Sequence, residues 1–266
     1  MIAVVAGLTV FPIKSAGGVA LAEAELTPMG LRHDRAFMLV RPDGRHLSQR
    51  EVPELALLRP GFDGAKLTVE SPLADAPLVW EAVDGPARDV TVHGRPCQGV
   101  DQGDEPARWF GAALGLDCRL VRFTGTRRTL PGDGTLTFAD GYPVSVLSRE
   151  SLDDLNRRVD AALPMERFRP NIVLEGLGPY GEDAVTSLRG SAPGAVALDL
   201  VRPCGRCVIV NIDQETARRA PAPLRALGRY RVERFGDGRE IMFGRLGVPR
   251  VPGRLRIGDA LTATAA

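Results

Sequence analysis

The chain has 266 residues, of which 44% are hydrophobic and 25% charged. That is the usage of a globular protein with room for one large domain or two small ones. A formal net charge of +1 sets up no overall field favouring nucleic acid or a membrane surface.

The opening segment "MIAVVAGLTVFPIKS" is apolar but has no basic leader and no A-x-A cleavage pattern. It reads as a first strand rather than a signal peptide. No stretch approaches the roughly 20 apolar residues of a membrane span. The expectation is a cytoplasmic protein with reduced cysteines and no partnership with membrane or nucleic acid. Through the first hundred residues short apolar runs, among them "ALAEAELT", "RAFMLVR", "LALLRPGFDG", "AKLTVES" and "DVTVHG", alternate with Gly, Pro and Asp. "RPDGR", Arg41 to Arg45, predicts a hairpin, because Asp-Gly suits a tight turn needing positive φ. Strands at this spacing suggest a sandwich or barrel.

"DEPARWFGAALG", Asp104 to Gly115, has an acidic start, an apolar face and a glycine stop, and predicts a helix. "SRESLDDLNRR", Ser148 to Arg158, predicts a second, opened by Ser148 and closed by arginines that suit the helix dipole. Between them, Phe123 to Pro143 is polar and rich in turn residues, and reads as a loop joining two domains, 1–122 and 123–266. After it, "PVSVLS", "NIVLEG", "AVALDLVRP", "RCVIVNID", "YRVERFGDGREIMFGRLG" and "RLRIGDALTA" read as strands, and "RRAPAPLRALG", Arg218 to Gly228, as a Pro/Ala loop. The fold class expected is mainly β (α+β), with few helices.

Four cysteines are present, two of them three apart in "VRPCGRCVIVNID". A structural zinc site wants four ligands, and the three histidines all precede residue 94. A redox dithiol wants a helix N-terminus after a strand, whereas "VIVNI" reads as a strand. Two buried thiols, or one thiolate on a soft metal, also fit the spacing.

Neighbouring segments bear on that choice. "RPCGRCVIVNIDQET" resembles the cysteine segment of MOSC domains, and "ERFRPNIVLEGLGPYGED" resembles the R-F-R-P-N-I segment with its following Y-x-E-D. The stretch "VFPIKSAGGVALAEAELTPMGLRHDRAFMLVRPDGRHLSQREVPELALL" resembles the N-terminal β-barrel domain that accompanies them, with its Y-P-I-K-S, G-L-x-x-D-R and Q-R-x-x-P elements. The likeness covers about Val5 to Asp259, and by architecture it is greatest to the amidoxime-reducing component and to bacterial proteins that detoxify N-hydroxylated bases.

This resemblance implies an N-terminal β-barrel-like domain followed by a β-barrel MOSC domain. It implies a molybdenum–molybdopterin cofactor and reduction of N-hydroxylated small molecules. Cys207 would be the metal ligand, with Cys204 a neighbour and Arg206 favouring the thiolate. Lys14, Ser15, Arg35, Arg169 and Asn171 would hold the cofactor, and Asp101 would assist proton delivery. Each has a plainer reading: Lys14 as a solvated lysine, Arg35 as half of a surface ion pair with Asp34, Asn171 as a turn residue, Asp101 as an acid preceding a helix. No C-x4-C-x2-C run is present, so an iron–sulfur cluster is not expected and electrons would come from a separate protein. The second function carried forward is a sulfur or cofactor carrier that uses Cys207 without redox turnover.

Overall fold

The computed structural model describes residues 1–192, 194–235 and 238–265. Gly236 and Asp237, within one predicted strand stretch, lie outside the described residues. Strands dominate, with three α-helices among the described residues.

Seven strands close into a barrel. In order of pairing they are Val144–Ser148, Ile172–Glu175, Ile2–Val10, Ala260–Ala265, Val185–Gly190, Ala197–Gly205 and Gly238–Val251, and the last pairs back onto the first. The opening strand shows how sequence sets this up. Ala3 and Val5 point inward, then Leu8 and Val10, a change of parity that strict alternation forbids. A bulge between Val5 and Gly7 absorbs the extra residue and keeps both pairs in the core. They pack with Val144, Val146, Ile172, Leu174, Leu198 and Leu261. The barrel therefore takes its third strand from the start of the chain, and hydrogen bonds cross the sequence division at residues 122 and 123. Val144–Ser148 and Ile172–Glu175 are parallel, joined by a crossover containing the helix Arg149–Asn156.

Much of the rest of the first half forms a four-stranded sheet, Phe37–Val40, Arg119–Phe123, Arg95–Asp101 and Ala87–Val92, and a three-stranded one, Arg59–Phe62, Lys66–Glu70 and Leu78–Glu81, while Glu23–Thr27 and Gly30–Leu31 pair in a further sheet with Gly253–Arg256. Phe37, Leu39, Leu47, Leu67, Phe110 and Leu120 share a core there. The hairpin at "RPDGR" forms: Gly44 has φ 82° and its N–H donates to Arg41 O at 2.9 Å.

Both predicted helices form. Asp104–Leu114 stops at Gly115, whose φ of 65° is the left-handed cap that glycine takes most easily. At the second, Ser148 accepts from the Ser151 N–H as N-cap. Two local readings are corrected. The Pro/Ala loop contains a helix, Ala222–Leu227, because Pro221 and Pro223 fall at its start, where a missing N–H costs nothing, while Ala226 and Leu227 are buried. The predicted strand after Cys207 is a 3₁₀ turn, Val208–Asn211: Val210 is buried but Val208 is 46% exposed, a pattern no core strand would give. No helix among the described residues is long and apolar enough to cross a membrane.

Candidate functional site

A cavity of about 220 Å³ opens where the barrel meets the first half of the chain. Lys14, Ser15, Arg35, Arg169, Asn171, Arg206 and Cys207 all line it, so seven of the eight residues singled out in the sequence are brought together. Asp101 is not. It ends a strand elsewhere, where its carboxylate accepts from Arg119 Nε at 2.5 Å, Arg88 at 2.9 Å and the Gly103 N–H at 2.9 Å. Burial alone would lift its pKa, but these donors outweigh it and hold the group below the usual range. It is a fixed anion ahead of a helix and does not line the cavity.

The segment that returns from the opening strand supplies Lys14 and Ser15. The Lys14 N–H donates to Phe37 O at 2.8 Å, and Ser15 takes positive φ, 67°. The Lys14 ammonium is buried, donating to Phe138 O at 2.9 Å and pairing with Asp140. Burial pushes its pKa down against the pull of Asp140. An ammonium has three donors, so one remains for the pocket. Lys14 is thus no solvated lysine.

Arg35 and Arg169 both sit in the left-handed region, at φ 48° and 52°. Both guanidinium groups stack on Phe11, at 4.4 and 4.2 Å from its ring centre. Two cations on one ring repel: burial first, and Arg35 second, bring Arg169 down to about 9. Asp34, the partner of Arg35, is 1% exposed, so the pair is not a surface bridge. Asn171 ties these parts together. Its Oδ1 accepts from Arg35 Nη1, the Ser145 N–H and Ser145 Oγ at 3.1 to 3.2 Å, and its Nδ2 donates to Thr9 O at 3.1 Å. With its amide so used, Asn171 positions its neighbours.

The two cysteines differ. Cys204 ends the strand Ala197–Gly205, is 8% exposed, and burial pushes its thiol up although Arg206 pulls the other way. Cys207 caps the 3₁₀ turn and is partly open. The guanidinium that reaches its sulfur belongs to Arg50, Nη2 lying 3.3 Å from Sγ. Arg206, assigned that task from sequence, instead donates to Phe243 O and Phe168 O, both at 2.7 Å. A Cβ added at Gly205 would come within 2.2 Å of the Glu240 carboxylate, so the end of that side chain would have to move to admit one.

Sequence reasoning missed four residues of this region. Arg50 and Gln49 lay inside the quoted Q-R-x-x-P element, and Gln214 inside "NIDQET". Gln49 and Gln214 exchange amide hydrogen bonds at 3.0 Å, Gln49 also donates to Ser15 O at 2.7 Å, and Gln214 accepts from Arg169 at 3.1 Å. Asp140 had been read as part of a loop, and nothing local marked it.

Five cationic side chains line the cavity against one carboxylate, Asp140. Among the described residues, the buried atoms Arg206 Nη2 and Arg167 Nε and Nη1 of this wall have no hydrogen-bond partner. Such a surplus of positive charge and donors suits an anionic ligand. Among the described residues no group of three or more His, Cys, Asp or Glu could hold a metal ion. A metal at Cys207 would therefore draw its other ligands from a bound group.

Beside the cavity, His46 and His93 meet edge to face at 4.6 Å. Burial first, then the charges of Lys14 and His93, bring His46 down to about 4 from an ordinary 6.5. Between those values the unfolded chain takes up a proton that the folded chain resists. Stability is therefore lost as pH falls from 6.5 towards 4. Melting temperatures at pH 7 and 4.5 will show a smaller acid penalty for His46→Gln than for the wild type. An equal penalty in both would mean that this histidine does not stay neutral.

Comparison with known proteins agrees with this architecture. The MOSC N-terminal beta barrel domain matches residues 2–117 and the MOSC domain residues 133–262. The chain is 32% identical to mitochondrial amidoxime-reducing component 1 of Mus musculus over 96% of its own length and 80% of the relative's. It is 34% identical to mitochondrial amidoxime reducing component 2 of Rattus norvegicus over 84% and 71%. To the molybdenum cofactor sulfurase of Oryza sativa subsp. japonica it is 31% identical over 89% of this chain and 31% of that one. With both domains in tandem and likeness along nearly its whole length, the chain belongs to the MOSC-domain family, in the group that includes the amidoxime-reducing components.

Proposed function

We propose that this protein binds a molybdenum–molybdopterin cofactor and reduces N-hydroxylated small molecules with electrons from a separate electron-transfer protein. The observation that carries the reading is the meeting, in one cavity, of a partly open thiol and five cationic side chains. A soft thiolate suits molybdenum, and the cationic wall suits a phosphate-bearing pterin. The names of the relatives, amidoxime-reducing components and molybdenum cofactor sulfurases, point the same way.

Cys207 would be the protein's ligand to the metal, with Arg50 stabilising the negative sulfur. Lys14, Ser15, Arg35, Arg169 and Arg206 would hold the anionic part of the cofactor, with Asn171 fixing Arg35 in place. The bound cofactor supplies the two-electron redox step. The chain's own residues bind, orient and keep the pocket electropositive.

The second reading, a carrier of sulfur or cofactor, is favoured by the partial exposure of Cys207 beside a buried Cys204. One experiment separates the two. The protein is made in a molybdopterin-proficient host, its metal is measured by elemental mass spectrometry, and it is offered benzamidoxime with an artificial electron donor. The reductase holds about one molybdenum per chain and turns over. A persulfide carrier holds none and shows an extra sulfur on Cys207. A cofactor carrier holds metal without turnover.

A further inference from the structure

Three titratable groups connect the outer surface to the cavity. His93 lies in the turn after the strand Ala87–Val92, with its side chain 36% exposed. Its Nε2 is 3.0 Å from Asp140 Oδ1. The same oxygen, Oδ1, also meets Lys14 Nζ, and the Lys14 side chain is only 7% exposed. Asp140 and Lys14 both line the cavity, while His93 does not. The exposed histidine, the bridging carboxylate and the buried ammonium come from three separate segments of the chain.

We infer that His93, Asp140 and Lys14 form a proton relay that carries protons from bulk water into the cavity. Its catalytic use rests on the reductase reading above. Reduction of a hydroxylamine-type nitrogen follows R₂N–OH + 2 e⁻ + 2 H⁺ → R₂N–H + H₂O. The N–O bond breaks, one proton goes to nitrogen and the other to the departing oxygen, which leaves as water. The electrons come from the reduced partner protein. The protons come from water, and these three side chains offer them a route. Lys14 is the inner donor: when its ammonium gives up a proton, Asp140 passes one from His93 Nε2 to Lys14 Nζ through the shared Oδ1, and His93 takes another from solvent. No rotation of the carboxylate is needed, because one oxygen touches both nitrogens.

The surroundings support this direction of flow. Burial lowers the pKa of Lys14, helped by Arg35 and Arg127, which makes it a readier donor than a solvated lysine. Asp140 keeps half its side chain open to water, and burial would raise it, yet Lys14 and His93 hold it well below the usual carboxylate range. It stays an anion between the Lys14 ammonium and the His93 ring, able to pass a proton on without storing it. His46 packs on His93 and stays neutral, so it does not compete for charge. Arg127, Arg169 and Cys204 are further titratable groups that sense Asp140.

The test has two arms. The chain has only two lysines, Lys14 and Lys66, so ¹³C-lysine labelling gives two signals whose titration can be followed in cofactor-free protein. Asp140→Asn is expected to lower the titration midpoint of Lys14 and leave that of Lys66 in place. An unmoved Lys14 would break the link and overturn the relay, whether or not the protein is a reductase. In cofactor-loaded protein, His93→Gln is expected to keep the molybdenum content and substrate KM, and to lower kcat about tenfold. Its solvent deuterium isotope effect should rise, and added imidazole should restore much of the rate to His93→Gly. A merely structural triad would change stability or metal loading but give no imidazole rescue and no altered isotope effect, and that result would overturn the relay. Wild-type protein without metal or turnover would sink the reductase reading, and the relay would then stand or fall on the lysine signal.

Discussion

Replacing Cys207 with serine is expected to empty the protein of molybdenum, while replacing Cys204 with serine is expected to leave the metal in place. The two positions differ in environment more than in spacing. Both cysteines border the cavity, but Cys204 is buried and its thiol is pushed towards the neutral form, which makes it the poorer thiolate donor. Cys207 faces the cavity, with a guanidinium 3.3 Å from its sulfur. Serine is a hard, protonated oxygen donor and does not replace a soft thiolate. Metal should fall from about one per chain to background in Cys207→Ser, with turnover down by more than about a hundredfold. Arg50→Gln should fall between, keeping the ligand but losing the donor that stabilises it. The reverse pattern, metal lost with Cys204→Ser and kept with Cys207→Ser, would exchange the roles of the two sulfurs and undo the assignment.

What could be read from the sequence here depended on whether the controlling interactions were local. Helix ends at Gly115 and Ser148, and the hairpin at Gly44, are fixed by caps and turns within a few residues, and these were legible. The segment after Cys207 was not. Its residues favour a strand, but only the tertiary placement of Val210 decides that it turns. The Pro/Ala segment misled for a related reason, since a proline count hides that prolines at the first turn begin helices. Closure of the barrel by the opening strand is a pairing between Val4 and Glu175 and between Ile2 and Thr262, and no short-range pattern carries such information.

The site divides in the same way. Lys14, Ser15, Arg35, Arg169, Asn171, Arg206 and Cys207 were found because each lies in a segment that resembles a family motif, and the structure places all seven around one cavity. Chemistry within that set was less legible. Proximity in sequence gave Arg206 to the Cys207 sulfur, whereas the fold gives Arg50, 157 residues away. Asp101 was chosen by likeness alone, and two arginines that no spacing rule connects to it hold it elsewhere. Asp140 sits in a polar loop with neither periodicity nor motif, and acquires its character from Lys14 and His93 across long stretches of chain.

Asn171 lines the cavity and also ties together the segments that form it. It is 2% exposed, and its side chain has four hydrogen bonds to Arg35, Ser145 and Thr9. Those partners come from the opening strand, the turn that carries Arg35, and the strand Val144–Ser148. Leucine has nearly the same size but would take a partner from the Ser145 N–H and from the Thr9 carbonyl in the interior, while the Ser145 hydroxyl keeps Arg169 O at 3.2 Å. Each such group costs about 1–3 kcal/mol, so Asn171→Leu should lose about 2–4 kcal/mol in total. At this chain length that corresponds to a fall in Tm of about 10 °C. Arg35 would keep Asp34 and Phe11 but lose the contact that aims it, so cofactor retention should fall with stability. Ser145→Ala is the control, because it removes only the hydroxyl and leaves Asn171 tied to Arg35 and Thr9. It should cost about 1 kcal/mol and keep the metal. If the two variants melt together, Asn171 is not the clamp. If Asn171→Leu melts like the wild type yet binds no cofactor, its amide is a ligand after all, and the cofactor must displace Arg35 from it.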